Sequence, residues 1–181
     1  MKKEMILFSL KQAVNNKNIM NSDEIIEKIR DYIFDEKIQE SDVRHLVDKL
    51  YPPTEDEEGN EILFEIMPLD VVREKQIERL KEKCSNTIFE GFTATNGHTY
   101  GFNYHDQMNF TQQRTEILNG NTSDVMWKTK DAGVINHTVD EFNQVMEDGK
   151  NHKLAQQQKY WNLEQQILNA TTKEEVMSVE W

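Results

Sequence analysis

Residues 138–169 read TVDEFNQVMEDGKNHKLAQQQKYWNLEQQILN, and the fold turns on how this stretch is read. Thr138 and Glu141 stand three apart, just ahead of Phe142. That spacing is a capping box, in which each side chain satisfies a backbone N–H left without a partner at a helix start. From there Phe142, Val145, Gly149, His152, Gln156, Tyr160, Leu163 and Ile167 recur every three or four residues. They form one stripe of a long helix, provided it runs unbroken through Gly149. The middle of the stripe is polar and contains a glycine. A mid-helix glycine costs roughly 1 kcal/mol against alanine but admits close backbone approach. Such a face is expected to meet a partner or stay half wet. Gly149, His152, Gln156 and Tyr160, together with Trp181, are therefore the candidate partner-contact residues.

Short elements surround this helix. Thr172-x-x-Glu175 repeats the capping box for one last turn. Upstream, VMWKT and VINH flank Lys130–Gly133 as a small hairpin. Asp106 is expected to cap a helix running to about Leu118. FTATNGHTYGF reads as a hairpin around a two-residue Asn96-Gly97 turn. A long helix from Leu69 carries Val72, Ile77, Leu80, Cys84 and Ile88 on one side and stops at Gly91. On its surface Lys75 is spaced to pair with Glu78, and Arg79 with Glu82.

The N-terminal part reads as helical. Ser22-Asp23-Glu24 gives a capped start, followed by Ile25, Ile26, Ile29 and Ile33 on one face. A second helix after Ser41 carries Val43, Leu46, Val47 and Leu50 and stops before Pro52-Pro53. YPPTEDEEGN is a loop, and EILFEI (61–66) is an edge strand or an extended connector. The expected class is mainly α with small β-hairpins (α+β). A helical docking module would occupy residues 1–67, and a helix–hairpin–helix–hairpin–long-helix module residues 68–181. Of the aromatic side chains, 5 precede residue 68 and 11 follow it, so the larger core belongs to the second module.

Composition narrows the chemistry. A net charge of −12 argues against nucleic acid and against anionic membranes, both of which need a basic surface. No run reaches the ~18 apolar residues of a membrane helix, and the opening MKKEMILFSLKQ has too short an apolar core for a signal peptide. The single cysteine, Cys84, excludes an internal disulfide and a cysteine-rich zinc site, and its place on an apolar stripe makes it a buried thiol. His98, His105 and Asp106 are weak candidates for metal ligands. They lack the usual ligand spacing, and the expectation is a structural role in which Asp106 caps a helix and the histidines bond locally. His137 and His152 are conceivable general bases, but no serine or cysteine stands in a nucleophile elbow and no glycine-rich loop cradles phosphate. The expectation is no enzyme activity and no cofactor. Trp127, Trp161 and Trp181 are large apolar groups suited either to a core or to an interface.

The segment from about Gln76 to Trp181 carries an ordered set of motifs. They include Phe89-x-Gly91-Phe92, His98-Thr-Tyr-Gly-Phe102, Asp106-Gln107-x-Asn109-Phe110, Trp127-Lys-Thr-Lys-Asp, His137-Thr138-x-x-Glu141-Phe142 and Tyr160-Trp161-x-Leu163. The set ends on Thr172-x-Glu174-Glu175-Val176 and Trp181. In this order it resembles a domain of unknown function found in proteins encoded near the tail-fibre and baseplate genes of tailed bacteriophages. The resemblance implies a non-enzymatic tail component that contacts other tail proteins or further copies of itself. It would be made in the bacterial cytoplasm and carried in the virion tail. A tail-fibre assembly chaperone, absent from the finished particle, is the alternative. No catalytic residue carries over, and HTYGFNYHDQMNF (98–110) is expected to be scaffold.

Overall fold

Seven helices and three two-stranded antiparallel hairpins form among the residues described in this computed structural model, 2–16, 20–121 and 123–181. The chain is thus mainly α with small β-hairpins, as its periodicities predict. It divides into two compact units, Met1–Lys75 and Gln76–Trp181. The division falls inside helix α4 (Leu69–Phe89), a little beyond the boundary at 67/68 expected from sequence. The first turns of α4 belong with the N-terminal unit: Val72 is buried, and Lys75 reaches Asp31 at 2.6 Å and Glu27 at 3.6 Å. Lys75 is therefore not the partner of Glu78, which pairs with Lys81 at 3.4 Å.

In the first unit α1 (Lys3–Asn15) buries Ile6, Leu10 and Val14, a four-residue spacing that puts them on one side. α2 (Ser22–Phe34) is capped by Asn21 rather than Ser22. Asn21 Oδ1 accepts the Glu24 N–H at 2.8 Å, and the Glu24 carboxylate accepts the Asn21 N–H at 3.0 Å. α3 starts at Glu40 and runs to Leu50, its entry held by Asp42, which accepts the Gln39 N–H at 2.8 Å. β1 (Thr54–Glu55) and β2 (Glu61–Ile62) then pair across the acidic turn. Asp56 closes that turn by accepting the backbone N–H groups of Glu58 at 2.9 Å and Asn60 at 2.8 Å. The remainder of EILFEI is an extended connector, and two arginines satisfy carbonyls along it. Arg44 donates to Phe64 O and Arg30 Nε to Ile66 O, each at 2.8 Å.

In the second unit, Gln76, Leu80, Cys84 and Ile88 face inward on α4, while Ile77 is only half-buried. Gln76 is 2 % exposed and donates from Nε2 to Val179 O at 2.6 Å, which ties the C-terminal segment to α4. The inward line therefore begins with a polar residue that has a specific partner, and Ile77 sits at its margin.

α4 ends before Gly91, whose φ of +97° reverses the chain and whose missing Cβ leaves room for the Tyr100 carbonyl. β3 (Phe92–Thr93) and β4 (Thr99–Tyr100) follow, Phe92 opposite Tyr100. Their loop is three residues, Thr95-Asn96-Gly97, rather than two. Ala94 N–H donates to His98 O at 2.9 Å, and Gly97 takes the left-handed position with φ +85°. α5 (Tyr104–Leu118) is capped by Asn103, and Asp106 is the third residue of its capping box. β5 (Val125–Lys128) pairs with β6 (Val134–His137), from Val125 opposite His137 to Lys128 opposite Val134. α6 (Val139–Asn169) runs unbroken for 31 residues through Gly149, and α7 (Lys173–Met177) follows it.

The core of this unit is aromatic. Phe110 lies 4.5 Å from Trp127 and 5.6 Å from Phe142, ring centre to ring centre. Phe92 lies 5.1 Å from Phe102 and 5.6 Å from Tyr100. One edge of α6 closes over these rings at Gly149.

Candidate functional site

The weak metal candidates do not converge. His98 Nδ1 donates to Asp131 Oδ2 at 3.0 Å, and Asp131 Oδ1 accepts the Thr99 N–H at 2.8 Å. These bonds, that from His98 foremost, hold the Asp131 carboxyl below the usual aspartate range. Asp106 Oδ2 accepts the Asn103 N–H at 3.0 Å, and His105 is exposed on the first turn of α5. Among the described residues no three His, Cys, Asp or Glu side chains are placed to hold a metal ion.

A polar chain, buried at Tyr100 and His137, crosses the same region, and sequence reasoning missed it. Asn96 Nδ2 donates to Tyr100 Oη at 2.8 Å, and Tyr100 Oη lies 2.7 Å from His137 Nε2. His137 Nδ1 lies 3.2 Å from Val125 O. A backbone carbonyl only accepts, so Nδ1 carries the proton, Nε2 accepts, and the tyrosine hydroxyl donates. The hydroxyl and both ring nitrogens are thereby engaged. Burial pushes the Tyr100 hydroxyl above its ordinary value. The chain joins the first hairpin of this unit to the second. It leaves His137, 2 % exposed, no free nitrogen for proton transfer with a substrate.

The stripe expected to meet a partner or stay half wet packs on the chain's own core at Gly149, while His152, Gln156, Tyr160 and Trp181 are half-buried. A Cβ on Gly149 would lie 2.8 Å from Phe92 Cζ and 3.1 Å from Phe102 Cε2, so the space is already filled. His152 sits 6.0 Å from the Phe92 ring and 6.4 Å from the Phe102 ring. Gln156 offers its backbone carbonyl to Cys84 Sγ at 3.5 Å. Tyr160 donates to Glu164 at 2.6 Å and packs on the aromatic core. Trp181 packs there too, with the Lys159 ammonium 4.5 Å from its ring centre.

Among its many exposed polar residues the second unit also turns several large apolar side chains outward. Tyr104 and Met108 on α5 are 74 % and 64 % exposed. Met126 and Val134 project from the outer face of the β5–β6 hairpin, while Val125 and His137 face the core. No helix among the described residues is long and apolar enough to cross a membrane.

A mainly helical unit whose motif residues hold one another in place is the class the geometry defines. Residues 71–180 match the family described as a domain of unknown function (DUF4376), and the chain belongs to that family. No curated protein and no solved structure matches it.

Proposed function

We propose that the chain is a non-enzymatic structural component of a bacteriophage tail, at the baseplate or the fibre attachment region, and that it acts through protein–protein contacts. The observation that carries this reading is the division of labour in the second unit. Its polar motif residues are bonded to one another, as in His98–Asp131 and Asn96–Tyr100–His137, while Tyr104, Met108, Met126 and Val134 remain outward. Tyr104 with Met108 on one helix, and Met126 with Val134 on one face of a hairpin, are two exposed apolar pairs suited to contact with other proteins. The order of motifs from Phe89 to Trp181, which resembles tail-associated proteins, supplies the choice of partner. Quantitative mass spectrometry of purified particles tests it. A fixed ratio to known tail proteins supports the structural role. Abundance in lysate with absence from particles favours the tail-fibre assembly chaperone instead.

A further inference from the structure

An asparagine followed by glycine exposes its side-chain amide to attack by the glycine nitrogen, because glycine carries no side chain to hinder the approach. Two such pairs occur in the chain, Asn96-Gly97 and Asn119-Gly120. The structure sets them in opposite states. In the β3–β4 loop Asn96 Nδ2 donates to Tyr100 Oη at 2.8 Å, and Asn96 Oδ1 accepts the His98 N–H at 3.1 Å. Tyr100 is buried and bonded in turn to His137, so this amide is held from both ends. Asn119 follows the last residue of α5 and is exposed, and its side-chain amide has no hydrogen bond to any described residue. We propose that Asn119 is a site of spontaneous deamidation and that the fold protects Asn96 from the same reaction.

The Gly120 nitrogen bonds to Asn119 Cγ and closes a cyclic imide. The side-chain nitrogen departs as ammonia, taking the proton that Gly120 N loses. Water then opens the ring. Attack at Cγ leaves aspartate, and attack at the main-chain carbonyl leaves isoaspartate, with the backbone rerouted through Cβ. Nothing is oxidised or reduced, and water is the sole co-reactant. To reach the attacking geometry Asn119 must turn from its ψ of 8°, and the Gly120 N–H must release Ile117 O at 3.0 Å. Both changes fall at the end of a helix, where local opening costs little. An added Cβ at Gly120 would meet nothing within 4 Å, so the turn has room to move. At Asn96 the same attack must break both side-chain bonds as well as the Gly97 N–H bond to Ala94 O at 2.9 Å. The product places a carboxylate at the C-terminal end of α5, where the helix dipole opposes negative charge. Glu116 is already in that last turn. This inference does not depend on the tail assignment.

Timed incubation of the full chain in mildly alkaline buffer, with and without urea, tests it. Peptide mass spectrometry reads the conversion of amide to acid at each site, and labelling by an isoaspartyl methyltransferase reads the isomer. In urea the two sites should convert at similar rates. In the folded chain Asn119 should keep within about fivefold of its rate in urea, since one backbone bond guards it, while Asn96 should slow by about tenfold or more. Conversion of Asn119 in urea but not in the folded chain overturns the assignment. Conversion of Asn96 in the folded chain as fast as Asn119 overturns the protection argued from Tyr100 and His98.

Discussion

Gly149→Ala separates two opposed effects by sign. At an exposed mid-helix site the change stabilises by about 1 kcal/mol, because alanine is the better helix former. Here the new Cβ would lie 2.8 and 2.9 Å from Phe92 Cζ and Cε1. The Phe92 ring cannot swing away freely, since Tyr100, Phe102 and His152 surround it at 5.6, 5.1 and 6.0 Å. Overpacking of this kind costs about 1–3 kcal/mol, so the net effect is a loss of about 0–2 kcal/mol. Phe92→Leu removes both colliding ring atoms. In that background Gly149→Ala should move back towards its intrinsic benefit, a coupling of about 1–3 kcal/mol. Urea unfolding followed by tryptophan fluorescence is the assay, because Trp127, Trp161 and Trp181 all lie in the Gln76–Trp181 unit. Stabilisation of the otherwise unaltered protein by Gly149→Ala would refute the packing described for α6.

Three further outcomes follow from the same contacts. Tyr100→Phe removes the donor to His137 and the acceptor for Asn96, and should destabilise the unit by about 1–3 kcal/mol in the same assay. Burial raises the Asp148 carboxyl, but bonds from the Thr95 N–H, the Gln144 amide and the Thr95 hydroxyl outweigh it and leave the group below its usual range. Asp131 and Glu141 are lowered by their own hydrogen bonds. Lowered carboxylates contribute stability above their unfolded values, near pH ~4, and lose it as pH falls through the folded ones. Acid titration of stability should show this limb, and Asp148→Asn should flatten it. Cys84, buried and with its thiol pushed up by that burial, should resist thiol reagents at neutral pH until the unit is unfolded.

Local signals are the legible ones. The boxes at Thr138–Glu141 and Thr172–Glu175, the glycine stop at Gly91 and both C-terminal hairpins stand in the structure where they are expected, the first hairpin with a three-residue loop in place of the two-residue turn. Two helix starts differ because Asn21 and Asn103, not Ser22 and Asp106, supply the caps. The asparagine-x-x-acid spacing is present at both and carries the same physics as threonine-x-x-glutamate. Tertiary facts are not legible. Nothing local tells that Gln76 turns inward to bond Val179 O, or that Tyr100 and His137, 37 residues apart, share a hydrogen bond. The period of α6 identifies its inward face, but a period does not say whether the chain itself or a partner covers that face. At Gly149 Phe92 and Phe102 cover it, and from His152 to Leu163 the face is half-buried.

The most direct test of the account compares two sets of substitutions in particles made from a genome carrying this chain. One set, Met108→Ser with Met126→Ser, alters outward apolar groups; the other, His105→Ala, alters an exposed member of the polar motif. Infectious titre is the readout, with the level of folded protein checked alongside. The account predicts that the methionine variant loses titre while the histidine variant keeps it. Loss of titre with His105→Ala and none with the methionine pair would contradict a protein that works through its apolar surface.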